Sequence, residues 1–233
     1  MSTQSPEKDG ELAFLGGLAR TTSRRNFLQW SGITIAVAAV GCSDGTVGPT
    51  PSGSVDLGSG DTGVLNYAYA LEQLEAAFYT KVVTSFYTGA SAGEQTILTD
   101  IKNHEVIHRN FLKAALGSAA IADLTVDFTS INFTDRASVL GAAKAFEDLG
   151  VSAYNGAGKL IVSPDYLVLA GKIVSVEARH AAAIRDLLQA NSFAGSDVVN
   201  ANGLDQAKAP SEVLAAADVY ITTTVTANNL PTT

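Results

Sequence analysis

Four segments of this chain carry apolar residues at the spacing of an α-helix, and each interrupts its apolar stripe with glutamate. The first stripe runs Leu65, Ala68, Glu72, Glu75, Tyr79, Val82. The second runs Ile97, Ile101, Glu105, His108, Leu112. The third runs Leu140, Ala143, Glu147, Gly150, Tyr154, Ile161. The fourth runs Tyr166, Leu169, Ile173, Val176, His180, Ile184, Leu187, with Glu177 in the same stripe. A carboxylate is costly to bury unpaired, and several converging in one core repel each other. Divalent cations remove the conflict. Two such ions balance four carboxylates, and two imidazoles complete their shells.

The spacing fits that solution. Glu105-Val106-Ile107-His108 and Glu177-Ala178-Arg179-His180 each place Glu and His three residues apart. Such a pair lies about 60° apart around a helix and about 4.5 Å apart along it, so both side chains can face one ion. Glu72 precedes Tyr79 by seven residues, and Glu147 precedes Tyr154 by seven. The first two helices thus echo the last two, as an internal duplication would. The match is broken where Glu75 stands opposite Gly150.

The helix boundaries follow from local chemistry. Helix one is expected after Asp61, as N-cap, and to end near Gly89. Helix two opens on Ser91-Ala92-Gly93-Glu94, a capping-box pattern, and ends near Gly117. A long link covers residues 118–134. Helix three runs from Asp135 to about Ile161. Helix four opens on Ser163-Pro164-Asp165 and ends near Asn191. A short helix over residues 211–218 follows. None of the six prolines lies between Ser52 and Ser163. Two short connections and one long middle one describe an all-α four-helix bundle with a long crossover between helices two and three. The net charge of -8 excludes the basic footprint of a nucleic-acid binder.

The segments around Glu72-Gln73-Leu74-Glu75-Ala76-Ala77-Phe78-Tyr79, the Glu105/His108 pair, Glu147 with Gly150 and Ala153-Tyr154, and Val176-Glu177-Ala178-Arg179-His180 resemble the ferritin-like superfamily, in particular its desiccation-related branch. The resemblance covers about residues 62–190. It implies a dinuclear iron or manganese centre. Glu72, Glu105 and His108 would serve one half, and Glu147, Glu177 and His180 the other, with Glu105 and Glu177 bridging. Glu75 is left open between an extra ligand, a proton relay, a metal-entry group and a buried acid bonded to a tyrosine. Tyr79 and Tyr154 are expected either to hydrogen-bond the ligand carboxylates or to be ordinary core tyrosines.

The N-terminal region reads as an export signal. Ser23-Arg24-Arg25-Asn26-Phe27-Leu28 resembles the twin-arginine motif, and an apolar run from Trp30 to Val40 follows. Ala39-Val40-Gly41-Cys42 resembles a lipoprotein processing site and holds the chain's only cysteine. Residues 1–42 are therefore expected to be the signal, 43–61 a Gly/Ser/Pro-rich tether, 62–192 the bundle, and 193–233 a tail with a short helix. The expected location is the periplasm or cell envelope, with Cys42 left open between a lipid anchor, ordinary signal cleavage nearby and an uncleaved anchor.

A rival pattern overlaps the second helix. His104-Glu105-Val106-Ile107-His108 matches H-E-x-x-H, in which both histidines bind zinc and the glutamate acts as a peptidase base. It leaves the second motif at Glu177 unexplained. Two further readings remain for the bundle: an oxidoreductase acting on oxygen, peroxide or ferrous iron in stress defence, and a non-catalytic envelope scaffold.

Overall fold

A computed structural model describes residues 54–232. The twin-arginine motif, Cys42 and most of the expected tether lie outside the described residues. The first strand, β1 (Val55–Asp56), is followed by α1 (Gly60–Thr84), α2 (Ala92–Leu116), α3 (Arg136–Ala157), α4 (Pro164–Leu188), the short α5 (Pro210–Ala217) and β2 (Val225–Thr226). Single 3-10 turns extend α2 over Gly117–Ala119 and α3 over Gly158–Leu160. The all-α bundle and its crossover are as expected. Among the described residues no helix is long and apolar enough to cross a membrane.

Caps set most boundaries. Ser91 Oγ accepts from Glu94 N while Glu94 Oε2 accepts from Ser91 N, at 3.2 and 2.8 Å, closing the capping box of α2. Asp135 accepts from Ser138 N at 2.8 Å at the start of α3. Ser163 caps α4, with Pro164 in its first turn. Asp61 does not do what the sequence suggested. It lies inside the first turn of α1, whose N-cap position is Ser59. Its two carboxylate oxygens accept from Val162 N and Ser163 N at 2.7 and 2.8 Å, so it ties the entry of α4 to the start of α1.

α1 packs along α2 and α3 along α4, while α1 also meets α3 and α2 meets α4. The crossover is stitched to α1 by buried side chains. Asn66 Nδ2 donates to Leu57 O and Ala119 O, and its Oδ1 accepts from Ile121 N. Gln73 Oε1 accepts from Leu124 N at 2.7 Å. Phe128 of the crossover and Phe146 of α3 each pack edge to face on Phe78, with ring centroids 5.8 and 5.0 Å apart.

The segment after α4 returns over the same side. Lys208 N donates to Ser152 O at 2.9 Å, and Val213 and Ala217 of α5 are fully buried. β2 then pairs with β1 in parallel, Val55 opposite Val225. The end of the expected tether is therefore part of the fold, with Leu57 wholly buried. This cladding explains an imbalance. Sixteen residues of α1 and fourteen of α3 are buried, against six each of α2 and α4.

Candidate metal centre

Each of the four long helices brings its glutamate to one level of the core. Glu72, Glu105, Glu147 and Glu177 are all 0% exposed, and His180 is buried at 4%. His108 keeps 11% of its side chain exposed. The six residues form two overlapping groups whose ligand atoms lie within 4.8 Å of one another: Glu72, Glu105, His108 and Glu177, and Glu105, Glu147, Glu177 and His180. Glu105 and Glu177 belong to both.

The distances follow a pseudo-two-fold. His108 Nδ1 is 2.7 Å from Glu177 Oε1, and His180 Nδ1 is 2.7 Å from Glu105 Oε1. The other oxygen of each shared glutamate faces the histidine of its own helix, at 3.8 Å for Glu105–His108 and 3.6 Å for Glu177–His180. The unshared acids lie equally far from their histidines, 3.6 Å for Glu72–His108 and for Glu147–His180. Each shared glutamate thus turns one oxygen to each half, which is the disposition of a bridging carboxylate.

Hydrogen bonding divides the oxygens by role. Tyr154 donates to Glu72 Oε1 and Tyr79 to Glu147 Oε1, both at 2.6 Å. The bonds cross between α1 and α3. Among the described residues, Glu72 Oε2, Glu147 Oε2, both oxygens of Glu105 and Glu177, and Nδ1 of both histidines have no hydrogen-bond partner outside the cluster. Eight buried polar atoms with no donors beyond the two imidazoles are expensive to gather unless a cation, or protons on those rings, offset the charge. The donor set, carboxylate and imidazole without thiolate, suits iron or manganese. The residues present therefore fit a dinuclear metal centre.

Charge coupling points the same way. Burial pushes Glu147 up to about 8 despite its contact with His180. Glu72 is raised well above the carboxylate range by burial and by the Glu177 charge. Burial would also raise Glu105, but the facing His108 and His180 rings overcome it and hold the acid down at about 2. Burial would lower both histidines, yet the surrounding glutamates lift each to about 12. Without a cation, protons on the imidazoles neutralise part of the cluster.

Glu75 is brought close but not into either group. It is 3% exposed, and its carboxyl occupies the space left by Gly150, where a Cβ would meet Glu75 Oε1 at 3.0 Å. Burial and the charges of Glu105, Glu177, Glu147 and Glu72 push it well above the usual range. It is not the tyrosine-bonded acid considered from the sequence, because Tyr79 and Tyr154 donate to Glu147 and Glu72.

His104 also lies outside both groups. Its Nδ1 stands 2.9 Å from Nε2 of His180, on the side of that ring away from the glutamates. In the H-E-x-x-H reading His104 and His108 face one zinc ion. Here Glu105 turns to both His108 and His180 while His104 stays outside, so the peptidase geometry is not formed. The His104–His180 contact was not read from the sequence. Comparing the residues preceding Glu105 and Glu177 could have drawn attention to it.

The family model described as the ferritin-like domain matches residues 60–190 of this chain. No curated protein matches it significantly.

Proposed function

The chain belongs to the ferritin-like domain family, and on that premise we propose that it binds two divalent ions, iron or manganese, between Glu72, Glu105, His108, Glu147, Glu177 and His180. The observation that carries this reading is the convergence of six carboxylate oxygens and two imidazole nitrogens on one another, with no other donor for them among the described residues. Glu105 and Glu177 would bridge the ions, Glu72 with His108 and Glu147 with His180 would terminate them, and Tyr154 and Tyr79 would fix the two terminal carboxylates.

Such a pair of ions supplies one- and two-electron chemistry with oxygen or peroxide. The protein's own groups suit a small uncharged oxidant. An apolar cavity lined by Tyr67, Leu71, Leu112, Ala153 and Tyr154 reaches the tyrosine that holds Glu72. Glu75, whose carboxyl is pushed well above its usual range by burial and the neighbouring acids, would serve as a buried proton source beside the cluster. The reading extends to an exported protein, supported by the resemblance of residues 23–28 to the twin-arginine motif and of residues 39–42 to a lipoprotein processing site, and to stress defence, supported only by the resemblance to the desiccation-related branch.

The test is metal content of the full chain purified from cells, followed by oxygen uptake with ferrous iron and with peroxide. Two equivalents of metal with turnover support the oxidoreductase. Two equivalents without turnover point to the scaffold reading. No metal under any loading condition overturns the site.

A further inference from the structure

The two halves of the cluster match closely in distance, yet they are not held from outside in the same way. His104 immediately precedes Glu105 on α2, and the residue in the same register on α4 is Val176, immediately preceding Glu177. His104 meets the outer nitrogen of His180 across the α2–α4 seam, Nδ1 to Nε2, at 2.9 Å. The ring planes lie within 9° and the centroids 5.1 Å apart. With the nitrogens so close, that is an edge-to-edge contact between nearly coplanar rings, as an N–H···N hydrogen bond requires, and not a face-to-face stack. Val176, in the place that would serve His108, has only hydrocarbon to offer.

The proton assignment follows from the chemistry of the ring. His180 turns Nδ1 to Glu105 at 2.7 Å and to the rest of the cluster. To offer that nitrogen's lone pair to a cation, it must carry its ring proton on Nε2. The Nε2–H then donates to Nδ1 of His104, whose own proton sits on its Nε2. His104 is exposed, so it contributes little to the core and is free to serve this one contact.

We propose that His104 is a positioning residue that holds His180 in the metal-binding tautomer and orientation, and that its replacement by Val176 on the other side makes the two metal positions unequal. The inference rests on the dinuclear reading above. The position built from Glu105, Glu147, Glu177 and His180 fills first and more tightly. The position built from Glu72, Glu105, His108 and Glu177 fills second. A partner on the far nitrogen of a ligating imidazole is worth ~10- to 100-fold in metal affinity, which sets the size of the expected gap.

The experiment is calorimetric titration of the metal-stripped full chain with Mn2+, for wild type, His104→Ala, His104→Asn and Val176→His. Wild type is expected to bind two equivalents in two resolved steps. His104→Ala weakens the tighter step by about tenfold or more and leaves the weaker step within about threefold, with unchanged thermal unfolding of the metal-free chain. His104→Asn, whose side-chain oxygen can stand where Nδ1 stood, restores most of the loss. Val176→His strengthens the weaker step. If wild type binds two equivalents and His104→Ala leaves both steps within about twofold, the inference fails while the dinuclear reading stands. If wild type binds neither Mn2+ nor, in an anaerobic repeat, Fe2+, both fall.

Discussion

Tyr79 of α1 donates its hydroxyl proton to Glu147 of α3 across the bundle core, at 2.6 Å. The bond fixes one oxygen of that carboxylate and leaves the other turned towards His180. Its mirror, Tyr154 to Glu72, has the same length. In Tyr79→Phe the ring still fills its space, but a buried carboxyl oxygen of Glu147 loses its only donor among the described residues. A loss of about 1–3 kcal/mol is expected for the metal-free protein, measured by urea unfolding. Tyr154→Phe should cost a similar amount. A change below about 0.5 kcal/mol in both would make them ordinary core tyrosines.

Shared and unshared glutamates should differ on substitution. Glu105→Gln or Glu177→Gln removes a charge that both ligand groups use, so both metal equivalents should weaken. Glu72→Gln or Glu147→Gln removes a charge from one group only, so one equivalent should persist. Stoichiometry by elemental analysis after gel filtration reads the difference. Equal loss from all four variants would contradict the bridging assignment.

Metal affinity should rise with pH. Burial holds Glu147 protonated up to about 8, and the surrounding acids keep His108 and His180 protonated to about 12. Each of these protons must leave before the atom can bind a cation, so uptake releases protons. Between pH 6 and 8 the affinity should climb by about tenfold per pH unit for each proton displaced. The metal-free protein follows a different sign. The raised acids favour folding in their protonated form, so their contribution is present at low pH and is lost as pH rises from the unfolded value near ~4.5 through about 8 for Glu147. The gap in thermal midpoint between loaded and stripped protein should therefore widen from pH 5 to pH 8. A gap that narrows would contradict the buried charge arrangement.

Gly156 marks where the returning tail presses closest on α3. A Cβ there would stand 1.8 Å from the carbonyl oxygen of Lys208. Gly156→Ala should force residues 206–209 off the bundle, break the Lys208–Ser152 hydrogen bond and expose the segment to protease. Limited proteolysis should then cut between α4 and α5 faster than in the wild type. Gly150→Ala is milder, because the atom it meets at 3.0 Å is the end of the Glu75 side chain, which can shift.

Export and anchoring separate by fractionation. Replacing Arg24 and Arg25 with Lys should keep the protein inside the cell. Cys42→Ala should leave export intact and move the protein from the membrane to the soluble fraction. Soluble wild-type protein would remove the anchor.

The convergence of the six residues was legible because a helix imposes a single period. Once four apolar stripes are written out, a glutamate or histidine within one must face the core, and no tertiary knowledge is needed. The caps at Ser91 and Ser163 were legible for the same reason, since their partners lie three residues away. Asp61 was misread because its partners, Val162 and Ser163, lie a hundred residues on. β1 sat unseen in a Gly/Ser-rich stretch because its partner is near the other end of the chain. His104 looked like a zinc ligand because the local motif names the residue but not the direction it faces.

Neither helical hairpin owns a complete ligand group. The group around His108 takes Glu72, Glu105 and His108 from α1 and α2 but must borrow Glu177, and the group around His180 must borrow Glu105. A single hairpin could complete such a group only by meeting a second copy of itself about a two-fold axis. The present chain is arranged as such a pair fused by its crossover, and cation uptake would consequently report that both halves have docked.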